Sequence, residues 1–540
     1  MTVVNKSDLK KFGIMYKILI TGSIHQIGLE ILRKEKDIEI QYAPDLAFAE
    51  IFKIIAPFHC ILSRSETPVT RELIDEAPNL KVIARAAVGI GNIDVNYATE
   101  KGILVINTPG KNTNSAAELT IGLLLSAIRK IIPAHSHMSK LKWDRHIFTG
   151  MELLGKTIGI IGLGNVGHRV ARYAKAFEME VLAYDPYIAE EVFERYHAEK
   201  CTLEELISSA DIITLHVPKT EETTGMIGAE EFSRMKSGVV ILNTARGGII
   251  QEKPLLEELK SGRVAAAGID TWEVEPPKHN PFRDLPQVVM SPHVGASTTE
   301  AQKRIAESIA TQTPRALRGE VVDYPVNMPS VQVLSRGPVS SYTSLAEKLG
   351  VFSSQYIEFT PTNLEIIYRG KLARHDGTLL RLCFLKGLLQ SKQDYVSYVN
   401  ADQQAENVGL HIEEKDDPGF TDYESALKCT LFASGRQFAI GGVVFSGPHP
   451  RIILINSFVC EFEVEGTILA TTNQDRPGMV GVLGTCLGKN GVNIDQFQLS
   501  RNTRGGEALS LIRVDDDLPD SVVEEIRKQE GITSVCKIVL

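Results

Sequence analysis

Along most of the chain, short apolar runs alternate with stretches of helical period. From about Tyr16 to Asn327 the candidate strands KILIT, IEIQYA, CILSR, KVIARA and ILVIN follow one another with helical patterns between them. A long helical stretch, Ser115 to about Lys140, comes next. It is followed by KTIGIIG, VLAYD, DIITLHV, GVVILNTAR, VAAAGIDT and QVVMSPH. Runs that are apolar throughout belong to strands buried on both faces, as in parallel sheets covered by helices. The pattern predicts an α/β chain opening with two doubly wound parallel-sheet domains. Ser297-Thr298-Thr299-Glu300 reads as a capping box, so a helix is expected from there to about Leu317, placed to pack back on the first unit.

Residues 321–342, VVDYPVNMPSVQVLSRGPVSSY, carry three prolines and no clean period, and read as a linker. Mixed helix and strand signals follow from about 343 to 455. The last residues are sharper. EGTILATTN, VNIDQFQLS, EALSLIRV and ITSVCKIVL read as strands, PGMVGVLGTCLGKNG and DSVVEEIRKQ as helices, the latter capped by Asp520 or Ser521. Their order, βαββαβ, is that of a ferredoxin-like unit. The expected domains are therefore 1–108 with 299–328, 109–298, an α+β domain at 329–460, and 465–540.

Composition narrows the class. The chain has 540 residues, 43% hydrophobic and 23% charged, with a formal charge of −9. That balance argues against a nucleic-acid surface, and no basic block suggests an anionic membrane. The seven cysteines are scattered without a CxxC pair, which suits a reducing, cytoplasmic setting, and no metal is called for. The N-terminal MTVVNKSDLKKFG lacks an apolar signal core, and no apolar run is long enough to span a bilayer.

The chemistry begins at KTIGIIGLGNVGHRVARYAKAFEMEVLAYD. Gly162, Gly164 and Gly167 form GxGxxG after a strand and at the start of a helix, and Asp185 ends the next strand, 18 residues past Gly167. In that context the first glycine serves a tight turn, the second a close approach to a pyrophosphate, and the third helix–strand packing. The helix N-terminus favours the phosphates. Asp185 can accept from ribose hydroxyls and would repel a 2′-phosphate, so NAD is favoured over NADP. A similar stretch, YKILITGSIHQIGLEIL, has Gly22 and Gly28 but no middle glycine and reads as an ordinary strand–helix turn.

Ligands of open α/β sheets sit at the carboxyl ends of strands. Those ends here carry Asp185, Pro218, Arg246, Asp270 with Glu275 just beyond, and His293. A hydride transfer to NAD needs a base near neutral pH, which histidine supplies, a carboxylate behind it, and a cation for a substrate carboxylate. On spacing alone Arg246 can equally be a surface ion pair, Glu275 a solvated acid and His293 a structural histidine. In the first unit Arg64 and Arg85 end adjacent strands and can bind a phosphate or carboxylate, or stand solvated.

KTIGIIGLGNVG, LNTARGGII, GIDTWEVEPP and SPHVGAST, in this order, resemble the D-isomer-specific 2-hydroxyacid dehydrogenases. RAAVGIGNIDVNYATEKGILVINTP and SAAELTIGLLL resemble the first-domain signature of a long form that oxidises 3-phosphoglycerate. The resemblance implies Arg246, Glu275 and His293 as catalytic residues. It implies Val88, Gly162, Gly164, Asn165, Val166, Gly167, Asp185, Val217, Pro218, Thr244, Ala245, Asp270, Gly295 and Ala296 around NAD, with Asp270 facing the nicotinamide amide. It implies Arg64, Arg85 and Asn112 on the substrate, and Arg145 reaching a phosphate in the neighbouring subunit of a homodimer or homotetramer. Val88 and Gly91 depart from the usual Thr and Asp, and Gln251 from the usual Asp. NQDRPGMVGVLGTCLGKNGVNID resembles an ACT domain, which implies L-serine as effector at Asn473, Asp475 and Asn493; an ACT fold used only for assembly is the alternative. Residues 343–455 resemble the intervening domain of the long form, where Arg369, Lys371 and Arg374 can bind an anion or form a solvated face. The rival activities are another 2-hydroxyacid dehydrogenase, such as a glyoxylate reductase, and a non-enzymatic NAD sensor on the same scaffold.

Overall fold

The computed structural model describes residues 15–320, 322–328, 338–391, 396–419, 423–445, 449–515 and 518–540. The polar N-terminal stretch and the middle of the proline-rich linker lie outside the described residues. The chain forms two compact units, one of residues 1–23, 31–107 and 309–540, the other of 24–30 and 108–308.

The first unit opens with a five-stranded parallel sheet of β1 (Tyr16–Ile20), β2 (Ile38–Tyr42), β3 (Cys60–Ser63), β4 (Val82–Arg85) and β5 (Leu104–Ile106), ordered β2-β1-β3-β4-β5. After residue 309 the chain returns to this sheet. Ile106 bridges Pro325, and the Asn327 side chain accepts from the Val105 N–H at 2.9 Å.

The second unit holds a seven-stranded parallel sheet: β6 (Thr157–Ile161), β7 (Glu180–Tyr184), β8 (Glu199–Lys200), β9 (Ile212–Leu215), β10 (Val239–Asn243), β11 (Val264–Ile269) and β12 (Val288–Met290). The order is β12-β11-β10-β9-β6-β7-β8. All five residues of β10 are buried, because apolar clusters cover both faces of the sheet. Strand order reverses direction beside β6, and this switch point is where such sheets take ligands.

The remainder of the first unit carries two further sheets. One is mixed: β13 (Asn363–Gly370), β14 (His411–Asp417), β15 (Ser425–Ala433), β16 (Arg436–Phe445), β17 (His449–Ile455) and β18 (Phe458–Glu463), with β13 and β14 parallel and the rest antiparallel. The last is antiparallel, with β19 (Thr467–Gln474), β20 (Ile494–Arg501), β21 (Glu507–Val514) and β22 (Ile532–Val539) ordered β20-β21-β19-β22. Helices Met479–Lys489 and Asp520–Arg527 complete βαββαβ. Two parallel α/β sheets, a mixed α+β region and a ferredoxin-like end make up the fold class expected from the sequence.

Local expectations needed correction. The stretch from Ser115 to Lys140 is two helices, Thr113–Ile128 and Ile131–Met138, separated where Lys130 takes a left-handed φ of 52°. The helix Thr299–Leu317 is capped by Thr298 rather than Ser297, its hydroxyl accepting from the Ala301 N–H at 3.2 Å. The helix Asp520–Arg527 is preceded by Pro519 and has no side-chain cap, so neither Asp520 nor Ser521 plays that part.

Candidate active site

Six neighbouring strands of the second sheet end along one edge. In order across the sheet, the chain places His293 beyond β12, Asp270 after β11, Arg246 beyond β10, Val217 and Pro218 beyond β9, the glycine loop after β6, and Asp185 after β7. The parallel topology does this. Residues more than a hundred positions apart share an edge because every strand points the same way.

The three loop glycines differ physically. Gly162 has φ of +93°, and a Cβ there would press on the Val217 side chain at 2.8 Å. Gly167, the first residue of the helix Gly167–Ala176, lies so near the Gly162 carbonyl that a methyl would overlap it. A Cβ on Gly164 would meet nothing, which is the open approach a pyrophosphate needs. Val166 flanks the helix, and Asn165 lies on the loop near Gly110. One Asp185 oxygen accepts from the Leu163 N–H at 2.9 Å and the other from the Tyr187 N–H at 3.1 Å, so the carboxylate is fixed against the loop. These features fit a dinucleotide.

On the other side of β6 the polar groups draw together. Glu275 Oε2 and His293 Nδ1 are 2.7 Å apart, and the second Glu275 oxygen accepts from the Trp272 N–H at 3.0 Å. Both side chains remain partly exposed, 37% and 42%. The hydrogen bond to Glu275 raises the His293 pKa, with partial burial opposing and Asp270 adding to the rise. Burial works against the Glu275 charge, but the bonds from His293 and Trp272 and the nearby Arg246 hold its pKa below the usual value. Burial lowers the pKa of Arg246, which Glu275 partly offsets. Arg246 Nη1 donates to the Ala245 carbonyl, and Asn243 braces the turn through Ala245 N–H and Arg246 C=O. His293 has φ of +54°, a conformation that costs a non-glycine residue energy and is held by its surroundings.

Asp270 is the holder. It is fully buried. Its Oδ1 accepts from Ser291 Oγ at 2.6 Å and the Val294 N–H at 2.8 Å, its Oδ2 from the Gly295 N–H at 3.0 Å, and its carbonyl from the His293 N–H at 2.8 Å. Its carboxylate thus builds the 291–295 loop. The Ala296 carbonyl accepts from Gln302, and Thr244 shares a 2.7 Å hydroxyl contact with Thr120. Gln251 donates to the Gly225 carbonyl at 3.0 Å. Asn112 flanks the helix Thr113–Ile128 without capping it. Arg145 opens a short 3-10 helix amid exposed Leu141, Trp143 and Ile147.

Within the first unit the two strand-end arginines differ in exposure. Arg85 is fully buried; its guanidinium donates to the Arg64 and Thr67 carbonyls and to Asn92 Oδ1, and burial lowers its pKa to about 10. It shapes the loop that carries Arg64. Arg64 lies half-buried with Nη1 on the Ser23 carbonyl at 2.7 Å. The Val88 carbonyl accepts from Asn107. In the terminal sheet, Asp475 accepts from Arg501 and the Gly505 N–H, Asn493 pairs with Asp515, and Asn473 is buried with its Oδ1 unpaired among the described residues. The sequence reading missed Trp272 and Ser291, although both sit inside the quoted stretches GIDTWEVEPP and SPHVGAST.

Residues 121–295 match the NAD-binding domain of the D-isomer specific 2-hydroxyacid dehydrogenases, and residues 338–456 the D-3-phosphoglycerate dehydrogenase intervening domain. D-3-phosphoglycerate dehydrogenase of Methanocaldococcus jannaschii is 40% identical over 97% of this chain and 100% of its own. The crystal structure of D-lactate dehydrogenase from Aquifex aeolicus, complexed with NAD and lactic acid, has a TM-score of 0.52 and 28% identity, covering 58% of this chain and all of that one. A glyoxylate reductase from Paecilomyes thermophila gives 0.53 and 30%, covering 58% of this chain and 98% of that one. The chain belongs to the D-isomer-specific 2-hydroxyacid dehydrogenases and is an NAD-dependent oxidoreductase. Within that class it is a member of the D-3-phosphoglycerate dehydrogenase family.

Proposed function

We propose that the chain oxidises 3-phosphoglycerate to 3-phosphohydroxypyruvate, the entry step of L-serine synthesis, in the cytoplasm. The observation that carries the reading is the 2.7 Å His293–Glu275 pair on the same sheet edge as Arg246 and the glycine loop. Bound NAD supplies the acceptor for the C2 hydride. His293 Nε2 takes the hydroxyl proton, since Nδ1 faces Glu275; the carboxylate fixes that orientation and stabilises the imidazolium. Arg246 holds the substrate carboxylate. Asp185 accepts from the adenosine ribose.

His293→Ala should lower kcat by about 10²–10⁴-fold with NADH affinity kept. Wild-type turnover in that variant would remove the base from the scheme. Following NADH absorbance with 3-phosphoglycerate, and with simple 2-hydroxyacids in its place, separates this activity from a glyoxylate-reductase type. No turnover with any of them, beside retained NADH binding, would favour a sensor.

We also propose that the βαββαβ end is an ACT domain with L-serine as effector at Asn473, Asp475 and Asn493, and that the exposed apolar strip around Arg145 is the face of a homodimer. Adding serine to the same assay tests the first proposal, and sedimentation of Trp143→Glu the second.

A further inference from the structure

Trp272 touches each segment of the acid–base assembly. Its backbone N–H donates to Glu275 Oε1 at 3.0 Å. Its indole Nε1–H donates to the carbonyl of Ser291 at 3.2 Å, two residues before His293. Its own carbonyl lies against Gly247, so close that a methyl on Gly247 would overlap it, and Gly247 follows Arg246. The side chain is only 7% exposed and packs beside Phe282, with ring centroids 6.2 Å apart. A rigid, buried aromatic therefore stands between the acid, the base loop and the arginine turn.

The strained His293 needs such support. Its left-handed backbone persists only if the loop around it is over-determined. Asp270 holds the loop from β11, and the indole N–H holds it from the Trp272–Glu275 segment. The indole bond joins the base loop to the segment that carries the acid, beside the direct His293–Glu275 contact, so it bears on the spacing between imidazole and carboxylate.

We propose that Trp272 is a positioning residue of the proton relay, its indole N–H fixing the loop of His293 in register with Glu275. This rests on the reading of His293 as base. The groups facing the imidazole are Glu275, Asp270 and Arg246; of these, the contact with Glu275 is the one this register controls.

Trp272→Phe keeps an aromatic ring and the backbone bond to Glu275, and removes the donor to Ser291 together with part of the buried indole. Losing one such bond should lower kcat/KM by about three- to tenfold. NADH affinity should stay unchanged. Because a looser pair gives His293 less help in holding a proton, the acid limb of the kcat/KM profile should move to lower pH. If Trp272→Phe does not fold, the two tryptophans can be replaced with benzothienylalanine, which keeps the bicyclic shape and lacks the N–H, with Trp143→Phe as control. A Trp272 variant whose pH profile superimposes on the wild type, beside an inactive His293→Ala, overturns this proposal and leaves the base assignment standing. Wild-type turnover in His293→Ala overturns both.

Discussion

A single carboxylate decides how the imidazole of His293 behaves. Glu275 raises its pKa, and in hydroxyacid oxidation the neutral ring is the working base, so kcat/KM should fall as pH drops through that raised value. Glu275→Gln removes the charge that favours the imidazolium. The acid limb should then shift to lower pH, while kcat falls by roughly one to two orders of magnitude, because the ring loses both its anchor and the partner of its charged form. A pH profile of kcat/KM reads both effects. A limb that stays in place would mean that another group titrates there. Side-chain roles at this scale were only partly legible in the sequence. His293, Glu275 and Arg246 stood out as candidates at strand ends, and their roles came from the family resemblance. Arg85 satisfied the same rule and is nonetheless buried, since a sequence shows that a strand ends in arginine but not that the next loop folds over it. Trp272 and Ser291 escaped for a related reason: their importance lies in which groups of other segments they hold.

The strand–loop–helix element at Gly162–Gly167 separates two kinds of glycine requirement. Gly164→Ala adds a methyl to open space, so the fold should keep its Tm while the methyl occupies the approach of the pyrophosphate. Gly167→Ala drives a methyl into the Gly162 carbonyl, so the helix can no longer pack on its strand and Tm should fall together with NADH affinity. Affinity should drop roughly tenfold or more in each, a loss of about 1.4 kcal/mol or more in binding free energy. Fluorescence titration of NADH beside thermal unfolding distinguishes them, and equal Tm losses would show that both glycines serve packing alone. This element was legible because its periodicity, turn residues and terminal acid all fall within one short stretch. The helix after Thr113 was less so. Its apolar pattern runs on through Lys130, and the break there is a left-handed residue with Pro133 in the first turn of the next helix, a signal that the continuous pattern masked. The two-residue β8 is too short to carry any period.

At the scale of the whole molecule, the terminal sheet does not stand alone. Alternate residues of β19 serve different cores, as a period of two requires. Ile468 and Ala470 join a cluster with Leu345, Leu349 and Phe352 of the helix Val339–Tyr356, whereas Leu469 packs under the sheet's own helices. Leu509, Leu511 and Ile538 point the same way as Ile468. The Gln355 side chain accepts from the Val539 N–H at 3.0 Å and donates to the Val539 carbonyl at 2.9 Å, closing the edge of the same contact. A sheet with one face on its own helices and the other in a neighbouring core shares its buried surface with that core. Leu511→Ala should therefore cost about 2–5 kcal/mol, the usual range for a buried leucine. The loss should appear as faster hydrogen exchange in both β19 and the helix Val339–Tyr356. If exchange quickened in β19 while that helix kept its protection, the two regions would be separate modules in contact, and a ligand bound at Asp475 could order one without the other. Shared exposure instead means that free energy added at the terminal sheet is felt by the whole of the shared core, because both are lost in the same opening.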